Sequence, residues 1–320
     1  MLKKIQSIPS GMFIIPFLIS IIQYTIWPDL FANIGGTTAA VFDGSATGFL
    51  VGILVFCSAT SIQFSKIGTI LKHQGTIALV KIIVTVILSF AFLYIFGLDG
   101  IWGISAVAFV TTILSVNLAI YSSILTDYGY KEDSAFYPIL GIYSLPAIPI
   151  IIFSIYISGG IGSVDFGPVI SMLIPLFLGM IFGNIDPAFG DFFGAATSTI
   201  LFFLGWNLGQ GLSLVEAVQA GFPGLLLAII FIILSIPYFF LDRGLGYEGI
   251  SGISMITVAG VSTAVPASLA AIFPELQQYV GSATAQILLV VLITAFLTPF
   301  LSQKIYDKYG SNGLGDRKTQ

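Results

Sequence analysis

Charged residues are scarce in this sequence. Only 8% of its 320 residues are Asp, Glu, Lys or Arg, whereas 57% are hydrophobic and 14% are aromatic. Soluble domains carry about 25% charged residues, so this chain has too few charges to cover a water-exposed surface. Most of its surface must therefore face the lipid bilayer, where its 35 glycines allow helices to approach each other closely.

Cysteine and histidine are nearly absent, since the chain has one of each, Cys57 and His73. A single cysteine excludes an internal disulfide, and a single histidine excludes the His-Glu-x-x-His motif of zinc proteases. No pair of aspartates lies within an apolar run, and no block of basic residues indicates nucleic acid. The sequence therefore predicts no enzyme activity, no cofactor, no metal site and no nucleic-acid partner.

The apolar runs predict an all-α membrane protein with ten transmembrane helices, which we call segments one to ten. A helix needs roughly 20 mostly apolar residues to cross a bilayer. In chain order the segments cover residues 10–27, 44–61, 75–96, 101–128, 134–158, 169–183, 192–208, 220–241, 250–273 and 280–302.

Lysine and arginine are confined to alternate connections between the segments. If the N-terminus is cytoplasmic, all ten loop and terminal cations lie in the cytoplasm and none lies outside. This asymmetry predicts an even number of spans in a multi-pass protein of the cell inner membrane, with both termini in the cytoplasm. No small-residue cleavage site follows Lys3 and Lys4, so the first segment is predicted to be retained.

The two halves of the chain, residues 1–160 and 161–305, resemble each other weakly, and residues 306–320 form a polar cytoplasmic tail. Pro16 in segment one corresponds to Pro175 in segment six, and Gly103 and Gly252 each begin a Gly-Ile-Ser triplet in segments four and nine. Because each half has five spans, the second half must be inverted in the membrane, as in many secondary transporters. Chance similarity between apolar runs is the alternative.

Segments four and nine contain features that interrupt a helix. Pro266 lacks an N–H and disfavours helical geometry in the residue before it, and Gly260 weakens the helix nearby. The Gly-Ile-Ser register aligns Pro266 with Asn117 in segment four. An ordinary proline kink, with Ser and Thr bonded to the preceding turn, is the alternative explanation.

Two crossing breaks would form a polar site, because broken backbone survives in a bilayer only where protein buries it or it lines a wet cavity. Tyr143 and Ser144 add a second polar position in segment five, where Pro146 could equally cause a simple kink. The remaining candidate substrate-binding residues on segments four and nine are Thr112, Ser115, Asn117, Ser262 and Thr263.

Lys81 is the one cation inside a segment, about two turns into segment three. It is either a fixed cation beside an anionic substrate, a replacement for a coupling cation, or a side chain that snorkels to the interface. No acidic residue lies in the middle of a segment. Asp242 is predicted at a loop edge, and His73 is predicted to be solvated in the loop before segment three.

Five pieces of the sequence form a specific pattern through their order and spacing: Ile8-Pro9-Ser10-Gly11-Met12, Gly75 to Lys81, Tyr128-Gly129 with Lys131-Glu132, Gly183-Asn184-Ile185-Asp186-Pro187, and Gly249 to Pro266. In these motifs the sequence resembles the 2-keto-3-deoxygluconate permease family over nearly its whole length. The resemblance implies a panel of segments one, two, six and seven, and a core of segments three to five and eight to ten in which segments four and nine cross.

The resemblance implies a proton-coupled importer of a sugar acid. Leu114 and Tyr143 stand where the family pattern has acidic residues, so the coupling ion, H⁺ or Na⁺, stays open. We expect a secondary active transporter, working by alternating access, for a small organic anion such as 2-keto-3-deoxygluconate or a related sugar acid. A transport-inactive sensor or scaffold and a channel are the alternatives. The sequence does not decide between a monomer and a homo-oligomer.

Overall fold

The computed structural model describes residues 11–60, 71–129, 147–158 and 167–310, together with the single residues 5, 64, 68 and 136. Apart from one isolated bridge between Ile101 and Ile104, regular secondary structure in this part of the chain is helical. Four helical stretches are long and apolar enough to cross a membrane, and six are if each of two bent helix pairs forms one span. The fold is therefore that of an all-helical membrane protein.

We number the α-helices of the described residues in chain order. A π-helical turn, Leu71–Gly75, precedes α5, and two 3-10 turns, Gly260–Ala264 and Pro274–Tyr279, flank α15. The α-helices are α1 (Gly11–Ile26), α2 (Leu30–Ile34), α3 (Gly36–Phe42), α4 (Thr47–Ala59), α5 (Thr76–Phe96), α6 (Ala106–Leu114), α7 (Leu118–Tyr128), α8 (Ala147–Ser158), α9 (Gly167–Ile185), α10 (Ala188–Gly194), α11 (Thr197–Gly209), α12 (Leu214–Gln219), α13 (Gly221–Gly244), α14 (Ile250–Ser254), α15 (Val265–Ile272) and α16 (Val280–Tyr309).

The predicted segments follow these helices with a few differences. Segments one, three, six and eight match α1, α5, α9 and α13 to within three residues at either end. Segments two and seven correspond to α4 and α11, and each of these helices forms a bent pair with the short helix before it, at 57° to α3 and at 42° to α10. Helix α16 continues to Tyr309, so the start of the predicted polar tail is helical. The predicted boundary between the halves lies outside the described residues.

Helices α1, α4, α9 and α11 pack together as a first group. Two glycine pairs with a spacing of four lie at its contacts, Gly205 and Gly209 on α11 and Gly179 and Gly183 on α9. A Cβ atom at any of the four would collide with a backbone carbonyl oxygen of the facing α1 or of the facing α4 region. The glycines therefore set how closely these helices pack, as small residues commonly do in membranes.

Helices α5, α6, α7, α13, α14 and α16 form a second group, in which α16 contacts α6, α7, α13 and α14. The apolar window of the α6–α7 stretch is wholly buried inside the protein, although its composition would suit lipid. The two groups meet where α7 contacts α1 and α11 and where the Gly260–Ala264 turn contacts α11. The interrupted helices thus lie at the boundary between the groups.

We expect Gly205→Ala to destabilise the protein, because overpacking a tight contact typically costs about 1–3 kcal/mol. Gly52→Ala is the matched control: Gly52 is also inside a helix, but a Cβ there would meet no atom within 4 Å. Thermal unfolding in detergent should show a lower melting temperature for Gly205→Ala alone. Equal melting temperatures for both variants would contradict the packing described.

Candidate functional site

The α6–α7 stretch is interrupted at residues 115–117, and Asn117 begins α7. Its side-chain oxygen accepts hydrogen bonds from the backbone N–H groups of Ala119, at 3.1 Å, and Ile120, at 3.2 Å. Asparagine is among the preferred N-cap residues because its short side chain can satisfy these otherwise unpaired donors. The interruption predicted in segment four is therefore present, and a capping side chain stabilises it.

Segment nine is also interrupted, but earlier than predicted. Helix α14 ends at Ser254, and regular helical structure resumes at Gly260. Pro266 lies in the first turn of α15, where a missing N–H removes no helical hydrogen bond. The prediction that Pro266 breaks the helix and aligns with Asn117 is wrong; Gly260 lies just after the break, which covers residues 255–259.

The two interruptions contact each other, in a region that we call the crossing after the arrangement predicted for segments four and nine, and Ser115 makes one of these contacts. Its hydroxyl oxygen is 2.8 Å from that of Ser262, and it accepts a hydrogen bond of 2.8 Å from the backbone N–H of Ala259. Ser115 and Ser262 are 1% and 2% exposed. The structure therefore brings these two predicted residues together in the protein interior.

Asn117 makes the second set of contacts across the crossing. Its backbone N–H donates to the hydroxyl of Thr257 at 3.1 Å, and its side-chain nitrogen donates to the carbonyl oxygen of Val258 at 3.4 Å. Asn117 therefore caps its own helix and also pairs with the broken backbone of the other. Thr257 was not among the predicted site residues, although it lies in the polar run around the break.

Two threonines of α16, also missed, complete the crossing. The hydroxyl of Thr294 accepts from the backbone N–H of Val258 at 3.2 Å, and the hydroxyl of Thr298 donates to the carbonyl of Ile256. Both threonines are fully buried. Their spacing of four residues places them on one face of α16. This spacing was the only feature of the sequence that could have identified them as site residues.

The remaining predicted site residues differ in their burial and in their hydrogen bonding. Thr112, in the last turn of α6, is fully buried, and its hydroxyl has no hydrogen-bond partner among the described residues. Thr263 is partly exposed, and its hydroxyl donates back to the carbonyl of Gly260 at 2.7 Å, within the 3-10 turn. Tyr143 and Ser144 lie outside the described residues.

Lys81 is completely buried on α5, so the snorkelling alternative is wrong. Its ammonium nitrogen lies 5.3 Å from the ring centroid of Tyr238 and 5.5 Å from that of Phe231, both on α13. A cation above aromatic faces is attracted by their electron density, most strongly where water is excluded. Lys81 therefore places an amino group, which is a cation when protonated, inside the second group.

His73 is buried rather than solvated, so its prediction is wrong. The π-helical turn carries it inside the protein, where it is 2% exposed and its Nε2 lies 2.6 Å from Oδ1 of the fully buried Asp242. The ring of Tyr247 stacks on the imidazole at a centroid distance of 3.4 Å. Asp242, predicted at a loop edge, is thus the hydrogen-bonding partner of His73 inside the protein.

Interrupted helices that contact each other in the interior of an apolar helical protein, with a buried lysine in the same group, are typical of membrane transporters. The model of the 2-keto-3-deoxygluconate permease family matches residues 2–311. The chain therefore belongs to the 2-keto-3-deoxygluconate permease family. It is a multi-pass membrane transport protein and not an enzyme.

Individual relatives match the chain over nearly its whole length. The 2-keto-3-deoxygluconate permease of Enterobacter sp. (strain 638) is 29% identical, with 99% of this chain and 96% of the relative covered. The 2-keto-3-deoxygluconate permease 1 of Salmonella typhimurium is also 29% identical, with 96% of this chain and 95% of the relative covered. The permease of Escherichia coli O7:K1 is 28% identical, with 94% and 92% covered.

Replacing Thr257 by valine should destabilise the crossing, because it leaves the buried N–H of Asn117 without its acceptor. An unsatisfied buried group costs about 1–3 kcal/mol. Thr111→Val is the matched control, since the Thr111 hydroxyl is equally buried and has no hydrogen-bond partner among the described residues. Thermal unfolding should separate the two variants, and a stability loss in Thr111→Val as large as that in Thr257→Val would refute the assignment.

Proposed function

We propose that the protein is a secondary active transporter that carries 2-keto-3-deoxygluconate, or a closely related sugar acid, across the cell membrane. The observation that carries this proposal is the buried crossing of two interrupted helices, in a chain whose relatives are named as permeases for that compound. Such a substrate presents one carboxylate and several hydroxyls. It therefore requires a cation and a set of neutral hydrogen-bonding partners.

The proposed site uses residues of the crossing and Lys81. Lys81 would balance the substrate carboxylate, because it is a buried cation in the same helix group as the crossing. The hydroxyl of Thr112, which has no hydrogen-bond partner among the described residues, would bind substrate directly. Ser115, Asn117, Ser262 and Thr263 would contribute further contacts, and Tyr143 and Ser144 would line the same pocket from segment five.

Substrate binding at the crossing would change existing hydrogen bonds. Ser115 and Asn117 presently bond to the opposite interruption, so a substrate hydroxyl must exchange with those partners or bind beside them. Because exchange replaces one hydrogen bond by another, its net cost is small. Bound substrate would thereby alter the link between the two interrupted helices, which is what a carrier needs in order to couple binding to movement.

We further propose ten spans in two inverted repeats. The long helices, the bent pairs and the shorter apolar helices of the described residues follow the order of the ten predicted segments and support this arrangement. Segments four and nine, which occupy the same position in their halves, are both interrupted. Alternating access would then be movement of the second helix group, the core, against the first, the panel, coupled to H⁺ or Na⁺.

Proteoliposomes containing the purified protein should accumulate labelled 2-keto-3-deoxygluconate. Lys81→Met and Asn117→Ala should each reduce uptake, because losing a hydrogen bond to a charged group costs about 1.5–3 kcal/mol, or roughly ten- to a hundredfold. Ser268→Ala is the control, since this partly exposed side chain bonds only to the carbonyl of Ala264 in the preceding turn. Normal uptake by both site variants would refute the site assignment.

The same vesicles distinguish the alternatives. A transport-inactive sensor or scaffold would bind the sugar acid without accumulating it. A channel would pass single-channel currents and would show no exchange of internal for external substrate. Saturable uptake with exchange is the behaviour expected of a carrier.

Orientation can be tested by cysteine labelling, because Cys57 is buried and can be replaced by alanine. Asp99 and Lys308 are both exposed. In the predicted orientation, Asp99→Cys should react with an impermeant maleimide added to intact cells. Lys308→Cys should react only after the membrane is permeabilised. The reverse pattern would place both termini outside.

A further inference from the structure

The His73–Asp242 pair is a second polar centre, made of the chain's single histidine and a fully buried carboxylate. It joins the start of the α5 stretch to the last turn of α13 through a 2.6 Å contact. His73 lies on a π-helical turn, a rare local structure that occurs frequently at functional sites. Neither residue contributes to the proposed substrate site.

Hydrogen bonds connect this pair to both interrupted helices. The second carboxylate oxygen of Asp242 accepts from the backbone N–H of Gly252 on α14 at 2.9 Å. The side-chain nitrogen of Gln74 donates to the hydroxyl of Ser251 on α14 at 2.6 Å, and its oxygen accepts from the hydroxyl of Tyr121 on α7 at 2.8 Å. Gln74 therefore bridges one half-helix of each interrupted stretch.

The hydrogen bond between Gln74 and His73 depends on the protonation state of the imidazole. Its side-chain nitrogen, a donor, lies 3.3 Å from Nδ1 of the imidazole. In this arrangement Nδ1 must accept, so the imidazole is neutral and its Nε2–H donates to Asp242. A proton added at Nδ1 would make Nδ1 a donor. The side-chain amide of Gln74 would then have to rotate so that its oxygen faces Nδ1. That rotation would reverse the direction of the bonds to Ser251 and Tyr121, whose hydroxyls can each donate or accept.

A small cavity of about 10 Å³ lies against the pair and is lined by its titratable neighbours. Tyr247, stacked on the imidazole, and Glu248 both line it. Lys72 on the π-helical turn and Arg243 on α13 are the adjacent charges in sequence, and both are exposed. A water molecule in this cavity would connect the buried pair to solvent for proton exchange.

We propose that the His73–Asp242 pair is the proton-binding site of this transporter and that a proton bound at Nδ1 of His73 switches Gln74 between two hydrogen-bonding arrangements. The proton comes from solution and changes the net charge of the pair from −1 to 0 (carboxylate with neutral imidazole, then carboxylate with imidazolium). The proposal rests on the proposed function and assigns specific residues to the proton coupling that the family resemblance implies.

Because the chain has one histidine, its protonation can be measured directly. We would label the protein with ¹⁵N-histidine, purify it without a polyhistidine tag, and titrate the imidazole nitrogens by NMR in lipid nanodiscs. Saturating 2-keto-3-deoxygluconate should move the titration midpoint up by at least about half a pH unit, or roughly threefold in proton affinity. By reciprocity, substrate should bind about threefold more tightly once the site is protonated.

An imidazole that stays in one protonation state from pH 5 to 9, or a midpoint unmoved by bound substrate, would overturn the proposal and leave the proposed transport function intact. Failure of the wild-type protein to bind or exchange the sugar acid at any pH would instead refute the proposed function, and this inference with it. The two failures are therefore distinguishable in one set of samples.

Transport by variants tests the same site independently. Replacing His73 by glutamine or Asp242 by asparagine should lower accumulation driven by a pH gradient at least tenfold, while exchange of internal for external substrate should fall less than about threefold. Asp191→Asn is the control, because Asp191 is an exposed carboxylate of α10. Equal losses of accumulation and exchange would assign the pair a structural role only. The same conclusion would follow if both variants failed to fold and substrate did not move the titration midpoint of His73 in the wild-type protein.

Discussion

The hydrogen-bonding requirement of the interrupted backbone is the constraint on which this structure depends. Each interruption leaves backbone N–H and C=O groups that lipid cannot satisfy, and such groups survive only inside protein. Here the two interruptions satisfy much of each other's requirement through Ser115 and Asn117. Two threonines of α16 satisfy further groups. This need explains why the α6–α7 stretch is enclosed by other helices although its composition would suit lipid.

The sequence predicted that these interruptions exist but placed only one of them correctly. Asn117 is a local signal, because a capping side chain acts on the residues that follow it. Pro266 is ambiguous, because proline both breaks a helix interior and fits a helix start. The same residue can therefore mark the end of an interruption rather than its centre. Thr294 and Thr298 could not be found, since their partners lie about 40 residues away in the chain.

The burial of His73 shows a different limit of sequence reasoning. Its position between segments two and three, just after the loop lysines Lys66 and Lys72, assigned it to a solvated loop. Its actual environment depends on Asp242, which is 169 residues away, and on a turn that extends the α5 stretch inward. Local sequence patterns predicted the helix positions well, but they could not predict which side chains of distant helices pair with each other. Lys81 was identified as intramembrane because a lone cation within an apolar run is itself a local signal.

The buried charges among the described residues, Lys81, His73 and Asp242, all lie on the contacting helices α5 and α13 or on the turn that begins α5. Eight residues separate His73 from Lys81, about 12 Å along a helix axis. Unit charges at that distance interact by about 1.4 kcal/mol at an effective dielectric constant of about 20. Adding a proton to the His73–Asp242 pair would remove a net negative charge near Lys81. An anion beside Lys81 would then be repelled less, by roughly a factor of ten in affinity. The arrangement therefore favours binding the proton and the anionic substrate together, which is the sign required for symport.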